Sequence, residues 1–154
     1  KEILELGSSP GGWTQIILNY NSKTNITCFD LLDMKINIQN ISFYRDDFLK
    51  YDFNNLKNKF NLVLSDLAPN TTGHQSTDHL RISRLIYEII ERLEIILKNK
   101  GSLIFKIWKG EEEKEIVKKL KQIFDKVEYF KPNSSRQESS EIFIISRGFR
   151  LNEE

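Results

Sequence analysis

One stretch near the start of the chain limits what the rest can be: Leu4-Glu5-Leu6-Gly7-Ser8-Ser9-Pro10-Gly11-Gly12-Trp13. Apolar Ile3, Leu4 and Leu6 read as a strand entering a glycine-rich turn, and Thr14-Gln15-Ile16-Ile17-Leu18 as the helix that leaves it. Such a turn sets main-chain N–H groups and a helix N-terminus at the carboxyl end of a strand. A ligand can lie there against backbone without meeting a Cβ. The expected ligand is a nucleoside-type cofactor. The glycines fall as G-x-x-x-G-G rather than the G-x-G-x-x-G of dinucleotide folds, which disfavours a nicotinamide cofactor. An indole straight after two glycines packs poorly in a plain turn, so Trp13 suits the wall of a cleft.

The rest of the chain repeats the rhythm of a parallel, doubly wound sheet. Ile26 to Asp30 reads as a second strand ending in an acid, about 20 residues after the turn, where such folds place a carboxylate that accepts from ribose hydroxyls. Ile41 to Tyr44 is a short third strand, followed by Arg45-Asp46-Asp47-Phe48; an acid beside an aromatic there can accept from an adenine amino group, and Asp46 and Asp47 both qualify. Residues 54–59 read as a polar loop or frayed turn, and Phe60 to Asp66 as a strand. From Asp78 an apolar stripe at helical spacing runs through Leu97 and is expected to stop at Gly101. Ser102 to Trp108 is then a strand apolar on both faces, as a central parallel strand is. Lys106 is its exception: an ammonium in such a run meets low dielectric unless it pairs with a carboxylate or lines a cleft. Glu111 to Phe124 is a second amphipathic helix, with acids early and lysines late as the helix dipole prefers. Val127 to Phe130 and Ile142 to Ile145 are the last strands.

With 154 residues, 39% hydrophobic, the chain fits one domain over residues 1–150 that buries roughly 70% of its unfolded surface; residues 151–154 read as a loose end. A net charge of +1 does not by itself argue for a polyanionic partner. The single Cys28 reads as a buried structural thiol in a reducing compartment. No apolar run reaches the length of a membrane span. His74 and His79 read as exposed loop residues, and no metal site is expected. The chain opens on Lys1 with its first strand already under way, so an upstream segment is expected, and a cytoplasmic location unless that segment carries an organellar or nucleolar signal.

The wording Gly7-Ser8-Ser9-Pro10-Gly11-Gly12-Trp13, with Ser65-Asp66-Leu67-Ala68-Pro69-Asn70, Phe105-Lys106-Ile107, Lys131-Pro132, Ser134-Ser135-Arg136 and Ser140-Glu141, resembles the FtsJ/RrmJ family of RNA 2′-O-methyltransferases. The resemblance covers essentially the whole chain. It implies a Rossmann-like class I S-adenosylmethionine (SAM) methyltransferase: a mostly parallel seven-stranded α/β sheet, helices on both faces, last strand antiparallel. It implies SAM as cofactor and S-adenosylhomocysteine (SAH) as product. The cofactor would be held by Gly7, Ser9, Pro10, Gly11, Gly12, Trp13, Asp30, Asp47 and Asp66, with Asp47 at the adenine. It further implies that Asp66, Lys106 and Glu141 are the later three members of the family's Lys-Asp-Lys-Glu tetrad. The first lysine of that tetrad belongs upstream of the glycine-rich strand, and Lys1 lies too close to the strand to be assigned to it.

The chemistry accounts for these residue types. A ribose 2′-OH attacking a sulfonium methyl in line must be oriented and must lose its proton. A lysine, with a reference pKa of about 10.4, accepts a proton only if desolvation or a cation lowers that value, whereas flanking carboxylates stabilise the ammonium. Lys106 is thus either base or charged stabiliser, and positioning supplies much of the acceleration. A base methyltransferase would carry a Pro-Pro-aromatic platform for a flipped base, but Pro69 is followed by Asn70. The family implies ribosomal RNA of the large subunit as substrate and a monomeric enzyme. Transfer RNA, a messenger cap, or a catalytically silent RNA-binding module on the same fold are the alternatives. Lys109, Lys131 and Arg136, near Trp108, are the candidate RNA contacts.

Overall fold

Alternating apolar segments build a single sheet in the computed structural model, which describes residues 1–9, 11–35, 39, 41–67, 73–133 and 140–152, with Gln75 as backbone only. The elements run β1 (Glu2–Leu6), α1 (Gly12–Tyr20), β2 (Asn25–Asp30), β3 (Ile41–Arg45), a 3-10 turn (Phe53–Leu56) and β4 (Phe60–Ser65). They continue with α2 (Gln75–Ile96), β5 (Leu97–Trp108), α3 (Glu111–Ile123), β6 (Phe124–Phe130) and β7 (Glu141–Phe149). The strand order is β3-β2-β1-β4-β5-β7-β6. All pairings are parallel except those of β7, which runs antiparallel to β5 and β6.

Alternation along each strand sorts side chains onto two faces. On one, Ile3, Ile26, Cys28 and Leu64 pack under Trp13, Ile17 and Leu18 of α1. On the other, Leu4, Leu6, Phe29, Val63, Leu103 and Phe105 form the larger core with the apolar stripes of α2 and α3. Phe29, Phe60 and Phe105 are fully buried, and truncation of such a ring costs about 3–5 kcal/mol. In α3, Ile116, Val117 and Leu120 face that core, while Glu111 and Glu112 at its start and Lys121 at its end complement the dipole.

The boundaries depart from the sequence reading at several places: α2 begins at Gln75, Phe124 opens β6 rather than closing α3, and β7 runs on to Phe149. Gly101 does not end α2. The helix passes directly into β5 at Leu97, and the pairing with β4 shifts register between Phe60 and Leu62. Lys100 has φ +65°, and a Cβ at position 101 would lie 2.7 Å from Leu97 Cγ, so the glycine serves a tight fold-back inside the strand. His79 is not an exposed loop residue: it lies on α2, half-buried, with its ring 5.0 Å from that of Trp108. At the C-terminal end, the Leu151 N–H donates to Asn99 Oδ1 and the Asn152 amide to Glu94 Oε1.

Candidate active site

The strand order reverses between β1 and β4, and in open parallel sheets ligands bind outside the carboxyl ends of strands at such a switch point. Leu6 and Ser65 are register partners there, so Gly7 and Asp66 leave the sheet side by side. Gly7 has φ +76°, and a Cβ on it would press to 3.2 Å against Leu67 and 3.3 Å against the Asp66 main chain. Only glycine lets the two strand ends approach this closely. The Gly7 N–H donates to the Phe29 carbonyl, tying the turn to β2 as well.

A cleft of about 550 Å³ opens at this point, and Gly7, Ser9, Asp30, Asp46, Asp47 and Asp66 are among its lining residues. Phe48, Leu49, Leu67 and Leu85 give it apolar walls. Asp30 accepts from the Ser9 N–H (2.8 Å) and from the Leu32 N–H (2.9 Å), which fixes its carboxylate at the cleft. Asp47 accepts from the Leu49 N–H at 3.0 Å, and Asp46 from the Asp47 N–H at 2.8 Å. An apolar slot with carboxylates along it, closed on one side by a glycine turn, fits an adenosine with its ribose hydroxyls and a cationic tail. Gly11, Gly12 and Trp13 lead from this turn into α1: Gly11 is the N-cap with φ +117°, and a Cβ on Gly12 would meet nothing within 4 Å. Trp13 packs on Phe143, ring centroids 5.7 Å apart. Pro10 lies outside the described residues.

Next to the cleft, three chain-distant charges meet. The Lys106 ammonium lies 2.6 Å from Asp66 Oδ1 and 3.8 Å from Glu141 Oε1. Sheet pairing explains how: β5 lies between β4 and β7, and Lys106 pairs with Phe143 while Trp108 pairs with Glu141. Lys106 shares the α1 side of the sheet with Ile104, where no other helix covers it among the described residues, so its side chain keeps 24% exposure. A lysine that reads as an intruder in an apolar strand is therefore held by two carboxylates at an open edge.

Of the candidate RNA contacts, Lys109 is exposed just past β5, its N–H donating to the Ser140 carbonyl. Lys131 is half-buried after β6. Arg136 lies outside the described residues, as do Ala68, Pro69 and Asn70.

The sequence reading passed over Glu5. It is 2% exposed, accepts a hydrogen bond from the Thr14 hydroxyl and lies opposite Cys28 and Leu64 in register. Burial, with the charges of Asp66 and Asp30, pushes its carboxyl from 4.5 up to about 7 against the opposing effect of the Thr14 bond. Burial, with Glu5 nearby, likewise pushes the Cys28 thiol up to about 12, which makes it unreactive. The overlooked signal was an acid in the middle of an apolar strand.

The strand order, the single antiparallel strand and the glycine turn at the switch point define the class: a Rossmann-like methyltransferase. A solved structure from Plasmodium falciparum, assigned as a ribosomal RNA methyltransferase, superposes with a TM-score of 0.84 at 28% identity, covering 99% of this chain and 88% of that one. Residues 1–149 match the family described as FtsJ-like methyltransferase, and the chain belongs to that family. A curated relative from Caulobacter vibrioides, named ribosomal RNA large subunit methyltransferase E, is 40% identical over 153 residues, covering 97% of this chain and 67% of that protein. A relative of the same name from Wolbachia pipientis is 36% identical over 154 residues, covering 97% of this chain and 78% of that protein.

Proposed function

We propose that the chain transfers the methyl group of SAM to a ribose 2′-hydroxyl of RNA, with ribosomal RNA of the large subunit as substrate and SAH as product. The observation that carries this reading is the Lys106 ammonium held between Asp66 and Glu141 beside the cleft. The cofactor supplies an electrophilic methyl carbon. Gly7 and Ser9 would lie along it, with Asp30 at its ribose hydroxyls, Asp47 at its adenine amino group and Asp66 facing its cationic end.

On the substrate side, Lys106 donates a hydrogen bond to the attacking oxygen and stabilises negative charge as it develops there. Asp66 and Glu141 fix the ammonium in place, so that the oxygen lone pair is held on the methyl carbon. As the O–C bond forms and the C–S bond breaks, the hydroxyl proton leaves by way of Glu141, whose side chain is 47% exposed, to water. Lys109 and Lys131, with Arg136, would meet the RNA backbone, where cations suit phosphate. The names of the relatives support a large-subunit RNA. Among the described residues no helix is long and apolar enough to cross a membrane. The reading is of a cytoplasmic, monomeric enzyme.

The test is transfer of isotopically labelled methyl from SAM to ribosomal subunits isolated from cells lacking the protein, followed by nuclease digestion and mass spectrometry. A 2′-O-methylated nucleotide in large-subunit RNA is expected. Label on a base overturns the reaction, label on transfer RNA or a messenger cap overturns the substrate, and no label with intact RNA binding leaves the silent-module alternative standing.

A further inference from the structure

Phe130 closes β6, is 51% exposed, and joins neither of the two apolar clusters among the described residues. Three observations fix the side of the sheet on which it lies. Its neighbour Tyr129 donates to Glu113 of α3, on the opposite side. Phe130 pairs in register with Phe143 of β7, and Phe143 with Lys106 of β5. Phe143 in turn packs on Trp13 of α1. Lys106, Phe143 and Phe130 therefore form one row on the α1 side, with the ammonium at one end and the exposed ring at the other. The same edge carries positive charge. β5 and β6 both run antiparallel to β7, so their carboxyl ends flank the start of β7. Lys109 follows β5 and Lys131 follows β6, and the Lys109 N–H donates to the Ser140 carbonyl just before β7. Glu128, the acid on β6, is met by Lys126 at 2.6 Å and Arg147 at 2.8 Å. Trp108, the other aromatic at this edge, is engaged with α2 through His79.

We propose that Phe130 is a substrate-binding residue whose ring takes the base of an unpaired nucleotide next to the one being methylated. The inference rests on the RNA reading above and deepens it. Single-stranded nucleic acid is gripped by cations that follow its backbone and by aromatic rings on which its bases stack, and this edge presents both. Neighbouring strands stand about 4.8 Å apart, so two spacings, about 10 Å, separate the Lys106 and Phe130 backbones along the row. That span exceeds the reach from a ribose 2′-oxygen to its own base and suits the base of an adjacent nucleotide. Phe143 lies between them, held against Trp13, and keeps the floor of the row apolar. Every base has a π-face, so the contact sets the position of the strand against Lys106 without reading its sequence.

The test uses the full chain, SAM and large ribosomal subunits from cells lacking the protein, with single-turnover rates measured against subunit concentration. Phe130→Ala and Phe130→Leu are expected to raise the concentration for half-maximal rate about 5–150-fold while the maximal rate stays within about threefold of native. Phe130→Tyr and Phe130→Trp restore the ring and are expected to restore the native value. Calorimetry with SAM is expected to give the same affinity for all four. Should Phe130→Ala fail to fold, the contrast between Phe130→Leu and Phe130→Tyr decides, because leucine keeps apolar bulk and removes only the π-face. Native behaviour in Phe130→Leu, or a loss confined to the maximal rate, overturns this inference and leaves the methyl-transfer reading intact. So does a dimer in sedimentation that Phe130→Ala dissolves, which assigns the ring to a second copy of the chain. If the native chain places no methyl on a ribose of these subunits, the RNA reading falls and this falls with it.

Discussion

Replacing Lys106 with alanine separates the chemistry of the site from its stability. The ammonium makes two ion pairs, at 2.6 Å to Asp66 and 3.8 Å to Glu141, with side chains 24%, 32% and 47% exposed. Pairs this accessible to solvent contribute about 0–1 kcal/mol each. The domain therefore loses about 1 kcal/mol, a fall in Tm of roughly 2–4 °C at this chain length. Losing a positioned donor or proton-transfer group at the reacting oxygen costs far more, about 10²–10⁴ in rate, or roughly 3–5 kcal/mol. The cofactor cleft does not include Lys106, so SAM affinity is expected within about threefold of native. The assays are labelled methyl transfer to ribosomal subunits under single turnover, calorimetry with SAM, and thermal unfolding. A hundredfold loss of transfer against a few degrees of Tm cannot come from a smaller folded fraction, because 1 kcal/mol leaves a protein of ordinary stability almost wholly native at 25 °C. If Lys106→Ala keeps more than a tenth of native turnover, the reacting oxygen does not sit at this lysine.

Asp30→Asn removes a charged acceptor fixed by two backbone donors. It is expected to weaken SAM binding about 10–100-fold by calorimetry; unchanged affinity would displace the ribose from this residue. Gly148→Ala sits far from the cleft. It combines φ +74° with a Cβ 2.4 Å from Asp125 Oδ2 and is expected to cost about 1–3 kcal/mol in urea unfolding with unchanged turnover. The pH dependence of stability tests Glu5 directly. Its folded-state carboxyl, pushed up from 4.5 to about 7, contributes stability that is full below about 4.5 and is lost as pH rises through 7. Unfolding of the native chain relative to Glu5→Gln is therefore expected to weaken by about 2–3 kcal/mol between pH 5 and pH 8, and parallel profiles would count against a buried neutral acid.

The parts of this architecture that depend on local periodicity could be read directly from the residues. Alternation and apolar runs located a core of each of the seven strands, because each strand's character is carried by its own side chains, but β5 begins at Leu97 rather than Ser102 and β7 ends at Phe149 rather than Ile145. The passage from α2 into β5 could not be read, since apolar Ile96 and Leu97 suit either element and only the pairing of Leu97 with Phe60 decides. For the site, Asp66 and Lys106 stood out as ionisable groups at strand ends, and their meeting follows from the strand order, which no single segment encodes. Glu5 was overlooked for a related reason: its significance lies in Thr14, Cys28 and two distant acids, and these come together only after folding. Trp13 adds a smaller example: its packing on Phe143, ring centroids 5.7 Å apart, joins α1 to β7 and could not be read from residue type.

The insertion of β7 between β5 and β6 has a consequence for how the protein is made. β6 emerges from synthesis before β7, yet among the described residues β7 is the only strand it pairs with. A growing chain carrying residues 1–130 thus holds the glycine turn, Asp66 and Lys106 while lacking Glu141, and its two most recent strands still have unsatisfied edges. On the mechanism proposed above, methyl transfer awaits the arrival of the last hairpin, and the open strand edges of a prematurely released polypeptide favour sticking to its neighbours.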